Sequence, residues 1–452
     1  MTMLSFALGS VRRRRGTFLA TFVNVFVGAV VLMAFAALLD TAGGAAVAPA
    51  DASSLRTIAA AVGGWGLVIV GFGVASTTNL AMRQRQPELA LLKAVGATPA
   101  QVGRLVTGEG VVVALIAVAV GVIPAWLLGR TVLGGLDRTG QLTADVAYRF
   151  GPLALLAGIA TTLVATVGAT AITGRSAGRV SAREALGQAA GDGRKLGKSR
   201  GTAGAALLVA GAGCAVAVAT GLKGEGFTTL SIAGQACIAS ALGLALLSPI
   251  MLRALVAPIG SGRAPLHLAV SAVRERSRQA ATVTMPVIVL TALSVGTFYV
   301  QDIQNDANAA EGIAVSLDDE GVRTLNLIII SMISFFAAVV LVNNCVAGLL
   351  ARREEFGLAR RIGATPGQIL RSVAWETGIS ATAGLALGTV AAAIGIAGFA
   401  YGRTGSATPD LDRTPYLGVV ALVIVLTCLA SLPAARRALT VPMIDAAGPA
   451  RG

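Results

Sequence analysis

Two carboxylates, Glu109 and Glu376, stand inside long apolar runs of this 452-residue chain. Ionisable groups in such surroundings are functional candidates by default, because removing a charge from water is costly. Three roles are open to the pair: an interfacial hydrogen-bond anchor, a relay of motion, or a proton path. The anchor comes first, with Arg104 and Arg371, one to two helical turns earlier, as partners. A proton path comes last, because no further carboxylate continues it.

Other chemistries find little support. The four cysteines, Cys214, Cys237, Cys345 and Cys428, each lie in an apolar run with no C-x-x-C spacing, so they read as small buried hydrophobes. His267 is the single histidine, which excludes a multi-histidine metal centre. The segment from Gly191 to Ser199 superficially suggests a phosphate-binding loop. The position five before Gly197 is Asp192 rather than glycine, and no apolar strand precedes it. It reads as a basic linker, and no nucleotide is expected to bind this chain directly.

A string of residues that occurs twice is more informative. Glu88 to Gln101 (ELALLKAVGATPAQ) recurs as Glu355 to Gln368 (EFGLARRIGATPGQ), offset by 267 positions. The same offset carries Arg104 onto Arg371 and Glu109 onto Glu376. Residues 86–95 suit a short helix, with Glu88 in its first turn and Lys93 near its end, each favourable to the helix dipole. Gly96 then stops the helix in a left-handed conformation. Thr98 is an N-cap, Pro99 takes the first helical position, and Gln101 completes a capping box. In the second copy Arg360 follows Glu355, Gly363 is the stop, and Thr365, Pro366 and Gln368 form the cap. Each copy predicts a short helix, a sharp corner and a new long helix. A structural turn is the plainer explanation. The acidic residue and following basic residue in both copies favour a helix that docks a cytosolic partner.

The elements that carry these corners follow from the apolar runs. A helix needs about 20 apolar residues to cross a bilayer. Ten such stretches occur, near 17–39, 58–80, 107–129, 152–174, 203–221, 229–251, 282–301, 325–348, 373–399 and 416–435. They are continuous rather than alternating, so the predicted fold is an all-α polytopic membrane protein, not a barrel. Composition agrees: 55% of residues are apolar and 13% charged, against about 25% charged in soluble domains. The 267-residue offset divides the chain into a first four-span module (1–175), a basic cytoplasmic linker (176–202), a two-span hairpin (203–252) and a second four-span module (253–452). Both modules begin and end on one side, so a parallel pseudo-two-fold repeat is expected rather than an inverted one.

Charge sets the orientation. With both termini cytoplasmic, 28 of the 36 Lys and Arg residues fall inside, as the positive-inside rule requires. The net charge of +14 is then explained by topology and anionic headgroups, with no nucleic-acid partner. The corners lie in the cytoplasm. The first outer loop of each module is short, about 18 and 23 residues by these spans.

Taken together, the paired E-x-x-L/A-K/R-x-x-G-A-T-P-x-Q strings and the Gly- and Ala-rich spans after them resemble the FtsX-like permease family of ABC transporters. Further marks are the basic segment before each module (Ala7 to Arg14, Ala269 to Arg276) and the glutamates Glu109 and Glu376. The resemblance covers about three-quarters of the chain. Its ten-span arrangement is similar to that of antimicrobial-peptide export permeases, without their large extracytoplasmic domain. It implies a cell-membrane permease served by two copies of a separate cytosolic ATPase, which bind the ATP and Mg. Other implied partners are membrane lipids and an accessory extracytoplasmic protein or a sensor kinase. Export or extraction of an amphipathic or lipophilic substrate is the leading expectation. An ATPase-driven scaffold regulating a cell-wall enzyme or kinase is second. A secondary transporter is third, because no midplane ion ligands are visible.

Overall fold

The computed structural model describes residues 15–45, 47–84, 91, 94–138, 142, 146–178, 198–221, 226–258, 264–311, 317–350, 352–409 and 411–439. Among them are twelve helices and no strand. Ten are long: α1 (Arg15–Ala42), α2 (Pro49–Gln84), α3 (Pro99–Arg138), α4 (Pro152–Gly178), α5 (Lys198–Thr220), α6 (Gly226–Val256), α8 (Ser277–Ala310), α9 (Leu317–Leu350), α11 (Pro366–Thr404) and α12 (Thr414–Leu439). Two are short: α7 (Ala264–Glu275) and α10 (Arg353–Arg361). The ten long helices coincide with the ten predicted spans. Eight are long and apolar enough to cross a membrane on their described residues. A ninth counts if the C-terminal part of α9 (Ser334–Leu350) and α10, bent by 45° at their junction, are taken together.

The helices outrun the apolar stretches that predict them. The 34 residues of α8 rise about 51 Å at 1.5 Å per residue, against a hydrocarbon core near 30 Å. The connections shrink accordingly: residues 43–48 join α1 to α2, and 312–316 with Glu311 join α8 to α9. The loops expected at about 18 and 23 residues are thus mostly helix, because helical hydrogen bonding continues past the last strongly apolar residue.

The chain divides into two compact units, Met1–Gly191 with Val315–Phe336, and Asp192–Ala314 with Ala337–Gly452. In the first unit α1 is central and packs on α2, α3 and α4. Its core holds Phe35, Leu38, Leu55 and Leu136, with Met332 of α9 against it. The start of α4 is tied to the end of α1. Asp40 accepts backbone N–H bonds from Gly151, Leu153 and Ala154, at 3.0, 3.2 and 2.6 Å. These donors have no partner within their own helix, so a carboxylate there satisfies them and favours the dipole.

In the second unit α8 is the buried strut, packed on α11, α6 and α12. Glycine makes the closest approaches possible. A β-carbon on Gly384 would lie 2.7 Å from Val287, and one on Gly388 2.7 Å from Thr291. The G-x-x-x-G pair of α11 is therefore a packing seam against α8. The hairpin α5–α6 also packs on α11: a β-carbon on Gly398 would stand 2.5 Å from the Ala215 carbonyl oxygen.

Candidate functional site

Both corners adopt the geometry that their local chemistry demands. Gly96 has φ +100° and Gly363 φ +98°, in the left-handed region that favours glycine. Gly363 N–H donates to the Arg360 carbonyl at 3.1 Å, and Ala364 N–H to the Ala359 carbonyl at 3.0 Å. That pair of bonds is the Schellman motif, which satisfies the last carbonyls of α10. The next helix begins two residues later. Gln368 N–H donates to the Thr365 hydroxyl at 3.3 Å, and Thr365 N–H to the Gln368 side-chain oxygen at 2.9 Å. In the first copy Gln101 N–H donates to the Thr98 hydroxyl at 3.3 Å, and Thr98 N–H to Gln101 at 2.8 Å. Pro99 and Pro366 open α3 and α11. Glu88 and Lys93 lie outside the described residues; of the first short helix, Leu91 and Ala94 are helical and Val95 N–H donates to the Leu91 carbonyl.

The corners carry exposed apolar side chains. Leu91 is 67% exposed and Val95 89%; Leu358 is 63% exposed and Ile362 82%. The 267-residue offset carries Leu91 onto Leu358 and Val95 onto Ile362. Each elbow thus displays the same pair four residues apart on one helical face. Sequence reasoning stopped at the charged residues of the string and missed this pair. The signal was there: the offset, applied to the apolar positions, aligns them.

The opposite face of α10 is anchored. Phe356 is buried among Leu349, Ile369, Val373 and Ala435. The Arg360 guanidinium donates to the Leu439 carbonyl at the end of α12, at 3.0 Å, a favourable place for a cation. Glu355 sits at the surface. It accepts from Arg352 at 3.1 Å and also forms an ion pair with Arg276 at the junction of α7 and α8.

The intramembrane carboxylates are both buried, Glu109 at 3% and Glu376 at 6% exposure. The partner of Glu376 corrects the expectation from sequence. Arg352 donates to it at 2.8 Å, whereas Arg371 is exposed. Helix geometry gives the reason: five residues at 100° each put Arg371 about 140° around α11 from Glu376. Arg104 is likewise five residues before Glu109 and exposed. Arg352 also stands over the Phe356 ring, 5.3 Å from its centre.

Other polar residues fall where local bonding takes them. Thr77 bonds the Gly73 carbonyl of its own helix rather than a neighbour. Asn344 does cross between helices, donating to the Thr282 carbonyl at 3.2 Å. Cys237 and Cys345 are buried as expected; Cys428 lies on an exposed face of α12, where its thiol reads as lipid-facing. All four are free, and no group that could hold a metal occurs among the described residues.

These features define a class: a multi-pass α-helical membrane protein that carries two matched surface elbows. The chain matches the FtsX-like permease C-terminal family over residues 60–182 and 327–443. These stretches make up more than half of its length, each containing one elbow, and the chain belongs to that family. It is a permease component of an ABC transporter, a membrane transport protein and not itself an enzyme, and its family works with an ABC ATPase. A search of curated proteins found no match.

Proposed function

We propose that the two elbows are the seats of the ATPase, one elbow per copy, and that ATP-driven movement of the ATPase pair tilts α3 and α11. The observation that carries this reading is the matched exposure of Leu91 with Val95 and Leu358 with Ile362. A large apolar side chain left in water forgoes about 1.5–3 kcal/mol, which a docking groove recovers. Lipid offers no such cover where the positive-inside pattern puts these residues in the cytoplasm. The rigid cap behind each pair joins the docking helix to a long helix through only Gly-Ala-Thr, so displacement of one reaches the other.

The transported substrate is amphipathic or lipophilic and moves outward or is extracted from the bilayer. The outer connections, residues 43–48, 139–151, 221–225, 311–316 and 405–413, are too short to fold a capture domain. Exposed apolar side chains along the spans, such as Leu422, Val425 and Leu429 of α12, leave the bilayer as the adjoining reservoir. Both termini are cytoplasmic in this reading.

The test replaces Leu91, Val95, Leu358 and Ile362 by aspartate. The expected result is loss of ATPase from the purified complex with permease insertion unchanged. Full retention of the ATPase would overturn the proposal.

A further inference from the structure

Four charged residues of the second module form an unbroken chain from the cytoplasmic surface into the membrane. Arg276, between α7 and α8, pairs with Glu355 on α10. Glu355 accepts from Arg352 Nε at 3.1 Å, and Arg352 Nη1 donates to Glu376 on α11 at 2.8 Å. Exposure falls along the chain, from 39% and 44% for the side chains of Arg276 and Glu355 to 13% and 8% for Arg352 and Glu376. Exposed ion pairs contribute little by themselves. The inner pair is different, since it is shielded from water, and the planar guanidinium of Arg352 holds Glu376 through one nitrogen while another holds Glu355.

The mechanical consequence follows from where the chain attaches. The elbow joins α10 to α11 through Ile362 to Thr365, and Phe356 of α10 packs among Ile369 and Val373 in the first turns of α11. Apolar contacts are non-directional, so by themselves they let α10 roll against α11 without turning it. Glu376 is ten residues into α11, about 15 Å from its start. A charge-assisted tie from the N-cap of α10 to Glu376 adds a directional attachment to these apolar contacts, so a push on α10 becomes a torque on α11.

We infer that Arg352 is a positioning residue that couples the docking helix to α11, by linking Glu355 to the buried carboxylate of Glu376. The inference rests on the proposed docking role of the elbows and adds the route that motion takes from them. The first module carries the same four residue types in the same order: Arg85, Glu88 and Glu109 by the 267-residue offset, and Arg14 by the alignment of Ala7–Arg14 with Ala269–Arg276. Their recurrence is what a coupling device present once per ATPase requires. A stabilising contact peculiar to one module would have no reason to be duplicated in this order.

The test uses the full chain in lipid nanodiscs with its co-purified ATPase, with Cys214 and Cys428 replaced by alanine. Two spin-label pairs are read by electron–electron resonance, nucleotide-free and with ATP and vanadate. The inner pair joins Arg361→Cys at the end of α10 to Leu255→Cys at the inner end of α6. The outer pair joins Ser406→Cys, just past α11, to Thr220→Cys at the outer end of α5. In the otherwise native chain both distances shift on trapping. The critical variant is Arg352→Met with Glu376→Gln, which cuts the chain without stranding a buried charge. Its inner distance is expected to shift as before while the outer distance stays fixed. Arg352→Lys, which keeps the charge, retains an outer shift. An outer shift of native size in the double variant overturns the inference while leaving docking intact. An inner distance that does not move even in the native chain refutes the docking reading, and the coupling route with it.

Discussion

Replacing Gly363 by alanine isolates what the elbow's backbone conformation contributes. An added β-carbon would meet nothing within 4 Å, so packing is unaffected and only the φ of +98° matters. Holding a non-glycine residue there costs about 1–3 kcal/mol. Reduced freedom of the unfolded chain returns roughly 0.4–1 kcal/mol. The net is a loss of about 1–2 kcal/mol, a factor of roughly 5–30 in the local opening equilibrium. The bonds that open are those of Ile362, Gly363 and Ala364 to the carbonyls of Leu358, Arg360 and Ala359. Hydrogen exchange of peptides covering 353–365, measured in nanodiscs, should therefore accelerate by that factor. Asparagine, which tolerates left-handed backbone better, should fall between glycine and alanine. Gly367→Ala is the control: it also has open space around it but no positive φ, and should exchange no faster than the native protein. Native exchange in Gly363→Ala, or equal acceleration in Gly367→Ala, would refute the reasoning.

Proline at Gly96 and Gly363 together fixes φ near −65° where about +100° is needed; ATPase-dependent transport should vanish while membrane insertion, assayed by protease protection, is unchanged. Thr365→Ala removes one half of a reciprocal cap and should cost about 1 kcal/mol, read as faster exchange in the first turn of α11. Arg352→Met alone strands the carboxylate of Glu376 and should lower stability by about 3–5 kcal/mol, most of it restored by adding Glu376→Gln; thermal unfolding of the two variants checks this. Gly398→Ala drives a β-carbon to 2.5 Å from the Ala215 backbone, which cannot rotate away, and should destabilise by about 1–3 kcal/mol, whereas Gly378→Ala, with open space, should not.

The parts of this fold that were legible in the sequence are those fixed by local rules. The Thr98–Gln101 and Thr365–Gln368 caps need only neighbours three residues apart, and a glycine stop needs only itself. The long helices are legible because a bilayer demands continuous apolar runs. Relations between distant helices were not. The partner of Glu376 was sought on its own helix, but Arg352 reaches it from the N-cap of α10, a contact that no periodicity encodes. The seat of Gly384 and Gly388 on Val287 and Thr291 of α8 likewise required three dimensions. Cys428 was taken as buried because its neighbours are apolar. In a membrane protein, apolar surroundings do not distinguish the core from the lipid face. The apolar pairs on the elbows were overlooked for a related reason: a leucine in a helix reads as core until its exposure is known.

Site-directed cross-linking from the elbows bears most closely on their role in coupling. Leu91→Cys and Leu358→Cys, each in a background lacking Cys214 and Cys428, are treated in membranes with a short thiol-reactive cross-linker. Both positions should join covalently to the ATPase, with yields that change between nucleotide-free and ATP–vanadate states. Contradiction would be no ATPase adduct from either position, or labelling of either cysteine by an impermeant reagent applied to the outside of intact cells.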